Sequence, residues 1–505
     1  MIRRPVSPST ALRRQSGIDP RIWWMVMAIG FFAVLVLKEI QLPGPVILGF
    51  GTVGLFGLLM TGLQDPVLPL YALIAYMPFS RVLVGGFGTQ ATALNMTNIL
   101  MILVFISYVI NRISSRKPIS DRAPMNKVVL LFCALGAISL VHAGWEYGSW
   151  YVAKFIIPLK QWLTPVAMYF LALNVTRERK SMKAVVVIIM VAVTIVGLMA
   201  IYDYIDIGEG ASFERSRVGG IAEQPNTLGA FFNYYMFLLF GFFLTYFGRA
   251  SAWLLLIPFL ICFRGIMVTF SRGAYLGFAM GGMASCFFKS KRLFLIAIAI
   301  AAMALMTPIL IPAGIRYRMG MTYIGERNLE EDPTQGLEAS AAQRIEIWKG
   351  GLQMIKENPW WGVGYGAFPS LIPLYSHGTV GYRDAHNSYM LIAAEMGLPT
   401  LGIFLIILMV AGYYTHFVYT HTTEKFFKAT ALGFLAGLCA LLVANLFGSR
   451  MDDQAVSSYF WVLCGLMMRL VLTIRQEDPS TRSRHGRLVR RLPPMGPGPR
   501  RIATA

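Results

Sequence analysis

The chain has 505 residues, of which 56% are hydrophobic and only 14% charged, with a net charge of +20. A soluble domain carries roughly 25% charged residues, so this composition excludes an ordinary soluble globular protein. The basic residues sit in the tails and in alternate short loops with no nucleic-acid fold signature beside them, which argues against RNA or DNA as a partner and for the lipid bilayer.

Residues 1–21 form a basic tail holding Arg3, Arg4, Arg13, Arg14 and Arg21. The first apolar run, near 22–37, is followed by Lys38-Glu39 instead of a small-residue cleavage site, so it reads as a span and not as a cleaved leader. Fourteen runs are candidate spans: near 22–37, 46–63, 66–79, 95–110, 125–142, 154–173, 184–205, 227–247, 252–270, 273–288, 293–312, 387–419, 428–448 and 456–474. The run at 66–79 is broken by Pro66, Pro69 and Pro78. The expected fold is therefore all-α, a polytopic membrane protein of about 12–14 transmembrane helices. The organisation read from these runs is a cytoplasmic tail 1–21, an N-terminal transmembrane region 22–205, a second transmembrane region 206–474 containing an outer loop 313–386, and a disordered basic tail 475–505. With the N-terminus cytoplasmic, the basic residues of each well-defined alternate loop fall inside, which puts both termini in the cytoplasm. The five cysteines lie inside apolar runs with no CxxC or Cys/His cluster, so neither a disulfide framework nor a metal site is expected, and no cofactor is implied.

The outer segments carry the polar residues with chemical promise. In "SFERSRVGGIAEQPNTLGAFF", Arg215 and Arg217 precede a Gly-Gly turn, and Asn226 at the head of an apolar run reads as a helix N-cap. In "MVTFSRGAYLGFAMGG", Arg272 lies between two apolar runs; an arginine at that depth faces a partner or a wet cavity, or snorkels to the headgroups. In "RIEIWKGGLQMIKENPWWGVGYGAF", Ile345, Trp348, Leu352 and Ile355 recur at helical spacing behind Arg344, and Gly362, Gly364 and Gly366 follow around Tyr365. Such a helix could lie over a cavity as a lid or simply rest on the membrane surface. In "GYRDAHNSYMLIAAEMGLPTLG", Arg383 and His386 stand before an apolar helix, and Glu395 within it is a buried carboxylate that needs a partner. A neutral imidazole there can accept a proton.

These four stretches, in this order over about Ser212 to Phe404, resemble the O-antigen ligase/polymerase family of bacterial envelope membrane proteins. The resemblance implies a fold similar to GT-C membrane glycosyltransferases. It also implies an inverting, metal-independent transfer of a glycan from an undecaprenyl-diphosphate carrier, on the periplasmic side of the inner membrane, to a lipid A–core acceptor or another glycan. By the same resemblance, Arg217, Arg272 and His386 are the catalytic residues. Arg215, which could replace Arg217, is expected to bind substrate together with Arg383, Arg344, Tyr365 and Asn226. Ligase, repeat-unit polymerase and protein O-glycan ligase stay open as alternatives, and a lipid-linked glycan flippase is the rival of a different class.

Overall fold

A computed structural model of the chain describes Asp19, Arg21 and residues 44–81, 95–116, 118–208, 217–307, 316, 320 and 339–477, with the side chains of 44–52, 305 and 339 excepted. Among these residues every regular element is helical. The helices are α1 (Gly44–Gln64), α2 (Val67–Tyr76), α3 (Met96–Ser114), α4 (Asn126–Tyr147), α5 (Ser149–Val175), α6 (Arg179–Ile207), α7 (Pro225–Tyr246), α8 (Leu256–Thr269), α9 (Arg272–Lys289) and α10 (Lys291–Met306). The later helices are α11 (Ala339–Glu357), α12 (Phe368–Tyr375), α13 (Ser388–His421), α14 (Lys425–Ala444) and α15 (Gln454–Glu477). The protein is a polytopic helical membrane protein. Among the described residues nine helices are long and apolar enough to cross a membrane. The predicted span at 22–37 lies outside the described residues. The runs at 273–288 and 293–312 form α9 and α10, which are too short or too polar for that, as are the described parts of 46–63 and 66–79.

α7 and α15 are buried along nearly their whole length and form the centre of the bundle. α7 packs most extensively on α14, α15 on α5, and α6 on α8. Between helices in lipid the driving force is van der Waals contact, so small residues that let backbones approach decide where helices meet. α14 supplies Gly433 and Gly437, one turn apart, against α7. A Cβ at Gly433 would stand 2.5 Å from the Cα of Leu238, and one at Gly437 would strike the Tyr234 carbonyl oxygen. α9 uses the same device on the other side of α7, where Gly277 faces Asn233 and Gly281 faces Phe237. α9 is short and carries Arg272 and Lys289 at its two ends, which lowers its mean hydropathy, while its glycines let it pack closely.

The two ends of the bundle differ. At one end Asp121 pairs with Arg177 (2.7 Å), Arg469 (2.5 Å) and Arg112 (3.4 Å), while Glu424, between α13 and α14, pairs with Arg179 and with Lys183 at 2.8 Å. At the other end, the start of α13 meets the end of α14. There Ser388 Oγ donates to Asn445 Oδ1 at 3.0 Å, and Tyr234 Oη donates to the same oxygen at 2.7 Å.

α13 is bent, with Gly397 in a left-handed conformation (φ 82°) ahead of Pro399. That break frees backbone groups which lipid could not satisfy. The segment after α11 satisfies them. Val363 N–H donates to Ala394 O at 2.8 Å, Gly364 N–H to Glu395 O at 3.0 Å, and Leu398 N–H to Pro359 O at 2.8 Å. The glycine-rich stretch is thus stitched to the helix backbone, and Gly362 permits the close approach, since a Cβ there would meet the Glu395 carbonyl. Glu395 finds its partner here as well: its carboxylate accepts from Phe368 N–H at 3.1 Å, at the start of α12.

Candidate functional site

Four segments converge at the end of the bundle away from the Asp121 and Glu424 ion pairs. The first enters α7. Val218 N–H donates to Val268 O at 3.1 Å, which fastens the segment beside the end of α8. Arg217 is then held from both sides: Nε donates to Thr269 O at 3.2 Å and Nη2 to Asn226 Oδ1 at 3.1 Å. Asn226 is therefore not the helix N-cap expected of it. Pro225 occupies the first helical position after Gln224, so Asn226 falls inside the first turn and its side chain turns to Arg217.

The second segment joins α8 to α9. Phe270 adopts a left-handed conformation (φ 47°) and reverses the chain. Ser271 then caps α9, its Oγ accepting from Ala274 N–H at 3.4 Å. Arg272 is thereby the first residue of α9, and its Nη2 donates to Ser340 Oγ on α11 at 3.4 Å.

The third segment is α11 itself. Ile347, Gly350, Gly351 and Met354 are its buried residues, while Leu352 is exposed, so the inward face is rotated from the one the spacing of Ile345 and Leu352 suggests. Trp348 Nε1 donates to Ala385 O at 3.0 Å, one residue before His386. α11 is already seated as a wall of the site.

The fourth segment carries His386. Its backbone is left-handed (φ 49°), a strained state for a residue with a Cβ. Asp384 holds it there: Asp384 Oδ2 accepts from His386 N–H at 3.1 Å and lies 3.6 Å from Nδ1. Asn387 then caps α13, accepting from Tyr389 N–H at 2.9 Å and Met390 N–H at 3.1 Å. Burial pulls the imidazole pKa below its ordinary value; Asp384 opposes this, and Arg344, Arg450 and Arg383 add to it. The ring is accordingly neutral at neutral pH.

Together these segments enclose a cavity of about 180 Å³. Arg217, Asn226, Arg272, Arg344 and His386 line it, with Ser340 and Gln343 from α11. Three guanidinium groups, of Arg217, Arg272 and Arg344, thus meet the His386 ring in one cavity, and among the described residues no carboxylate lines it. No cluster of three or more His, Cys, Asp or Glu among the described residues is arranged to hold a metal ion.

Two other residues singled out in the sequence lie elsewhere. Arg383 is exposed beside the cavity without lining it. Tyr365 is drawn into the bundle, because Gly364 and Gly366 take up left-handed turns against Ala143 and Phe155. Its ring packs 6.0 Å from that of Trp162, and its carbonyl accepts from Tyr151 Oη at 2.9 Å. Arg215 lies outside the described residues.

Residues 257–405 match the family model described as O-antigen ligase. This segment belongs to the O-antigen ligase/polymerase family. The O-antigen ligase match takes in Arg272, Arg344 and His386 and leaves Arg217 and Asn226, which complete the same cavity, before its start. No curated protein matches the chain. The family and the helices support a membrane glycosyltransferase of the O-antigen ligase/polymerase type that works on lipid-linked glycan.

Proposed function

We propose that the protein transfers a glycan from an undecaprenyl-diphosphate carrier to an acceptor hydroxyl at the periplasmic face of the inner membrane. The observation that carries this reading is the convergence of Arg217, Arg272 and His386 on one cavity, from three separate parts of the chain. The basic loops lie at the opposite end of the bundle, which supports a periplasmic site and cytoplasmic termini.

In the proposed reaction the acceptor oxygen attacks the anomeric carbon from the face opposite the diphosphate. The new C–O bond forms as the bond to the diphosphate oxygen breaks, so the configuration inverts. His386 takes the acceptor proton, a contribution of roughly 10²–10⁴ in rate. Arg217 and Arg272 hold the diphosphate by forked, charge-assisted hydrogen bonds and stabilise the charge that grows on it as it leaves. Arg344, carried in by α11, faces the donor or acceptor sugar.

The test is reconstitution. Purified protein with lipid-linked glycan and lipid A–core should release undecaprenyl diphosphate and form the ligated product, and Arg272→Ala or His386→Ala should each slow both by roughly 10²-fold or more while inserting normally. Release with a second lipid-linked unit as acceptor, and none with lipid A–core, would make it a polymerase. Release only with a polypeptide acceptor would make it a protein O-glycan ligase. Movement of the lipid across vesicles without release would make it a flippase and overturn the reading.

A further inference from the structure

Among the described residues, Arg450 is the one buried cation near the cavity that this chemistry leaves unused. It stands in Gly448-Ser449-Arg450-Met451-Asp452-Asp453, between α14 and α15, and is 5% exposed. Its backbone N–H donates to Ser388 Oγ at 3.0 Å, two residues from His386. Nη1 donates to Gln224 Oε1 at 2.7 Å and to Thr227 Oγ1 at 2.5 Å, at the head of α7. Nη2 is buried and has no acceptor among the described residues. The nearest acidic groups are engaged elsewhere: Asp453 pairs with Arg81 at 3.0 Å and Asp384 holds His386.

A guanidinium buried among neutral acceptors is costly unless an anion compensates it. A small cavity adjoins the main one beside this residue. Asn226, Ser271, Gly273 and Phe447 line both, and Arg450 closes the far side of the small one. Its volume is about 10 Å³, room for one oxygen atom. Among the described residues no carboxylate lines this annex either.

We infer that Arg450 is the third guanidinium of the diphosphate site, receiving an oxygen of one phosphate in the annex while Arg217 and Arg272 hold the other in the main cavity. The assignment rests on the carrier-diphosphate reading above. It explains why Gln224 and Thr227 engage Nη1 alone and Nη2, packed against Gly448, is left without an acceptor among the described residues.

The experiment measures binding of undecaprenyl diphosphate and undecaprenyl monophosphate to the full-length protein in lipid nanodiscs. Wild type should prefer the diphosphate. Arg450→Met should lose roughly tenfold to a hundredfold in diphosphate affinity and change little toward the monophosphate, so that the preference collapses. Arg450→Lys covers failure of the methionine variant to fold: its preference should drop roughly tenfold, because an ammonium lacks the fork that holds Gln224 and Thr227 and still reaches the annex. A preference that survives in either folded variant, including one where both affinities fall together as a structural role would produce, overturns the Arg450 assignment alone. A wild-type protein with no preference for the diphosphate overturns the carrier reading, and this inference with it.

Discussion

Replacing Arg272 tests the cationic half of the site. Its guanidinium enters the cavity from the first residue of α9 and donates to Ser340 Oγ at 3.4 Å. That contact is long and its acceptor neutral, so its net worth is about 0.5–1.5 kcal/mol. A fork contact to a departing diphosphate is worth more, because it strengthens as charge develops on the leaving group. Removing one preorganised donor of this kind costs about 3–4 kcal/mol of barrier, or roughly 10²–10³ in kcat. Arg272→Ala should therefore slow transfer by roughly 10²–10³, while Ser340→Ala, which removes only the contact to α11, should slow it less than about tenfold. Arg272→Lys should recover little, since an ammonium is a point charge without the planar fork. Single-turnover release of undecaprenyl diphosphate, normalised to inserted protein, reads all three. Wild-type rates in Arg272→Lys would reduce the requirement to generic positive charge. Ser340→Ala as slow as Arg272→Ala would mean that Arg272 acts by holding α11.

Protonation of His386 blocks it as a base, so the rising limb of kcat/KM should lie below the ordinary histidine value of 6.5. Asp384→Asn removes the one neighbour that raises its pKa and should move the limb to still lower pH; movement upward would contradict the geometry. Because the fold disfavours the imidazolium, the stability His386 contributes is complete above pH 6.5 and is lost as pH falls through its lowered value, which a denaturation series across that range would detect. The two asparagines should separate cleanly. Asn387→Ala should cost about 0.5–2 kcal/mol of thermal stability as a lost cap, whereas Asn226→Ala should leave the melting temperature nearly unchanged and lower transfer by loosening Arg217. In Gly437→Leu the new side chain meets the Tyr234 carbonyl, and the resulting separation of α7 from α14 should cost at least about 1–3 kcal/mol in a detergent melt.

Much of this arrangement was legible in the sequence because membrane insertion writes strong signals. Apolar runs give helices, and a charge stranded between two of them must face a partner or a cavity, which is how Arg272 stands out. Arg450 too is set between two apolar runs, in Gly448–Asp453, but beside the acidic pair Asp452-Asp453. Only the structure pairs Asp453 with Arg81 and leaves the buried guanidinium to neutral oxygens. The N-cap reading of Asn226 fails for a different reason, which also governs the place of Tyr365. Their placement depends on one or two residues of phase: Pro225 takes the first helical position and shifts Asn226 into the turn, and left-handed glycines on either side of Tyr365 carry its ring inward. Periodicity averages over such details. The rotated face of α11 follows the same logic, since Gly350 and Gly351 are buried for closeness to Tyr375, Met390 and Phe368, and hydrophobic spacing cannot register a contact made by the lack of a side chain. Residues that meet lipid or water announce themselves by type. Those that set the geometry of the site do so by where they let the backbone go, and that becomes visible only once the neighbouring helices are in place.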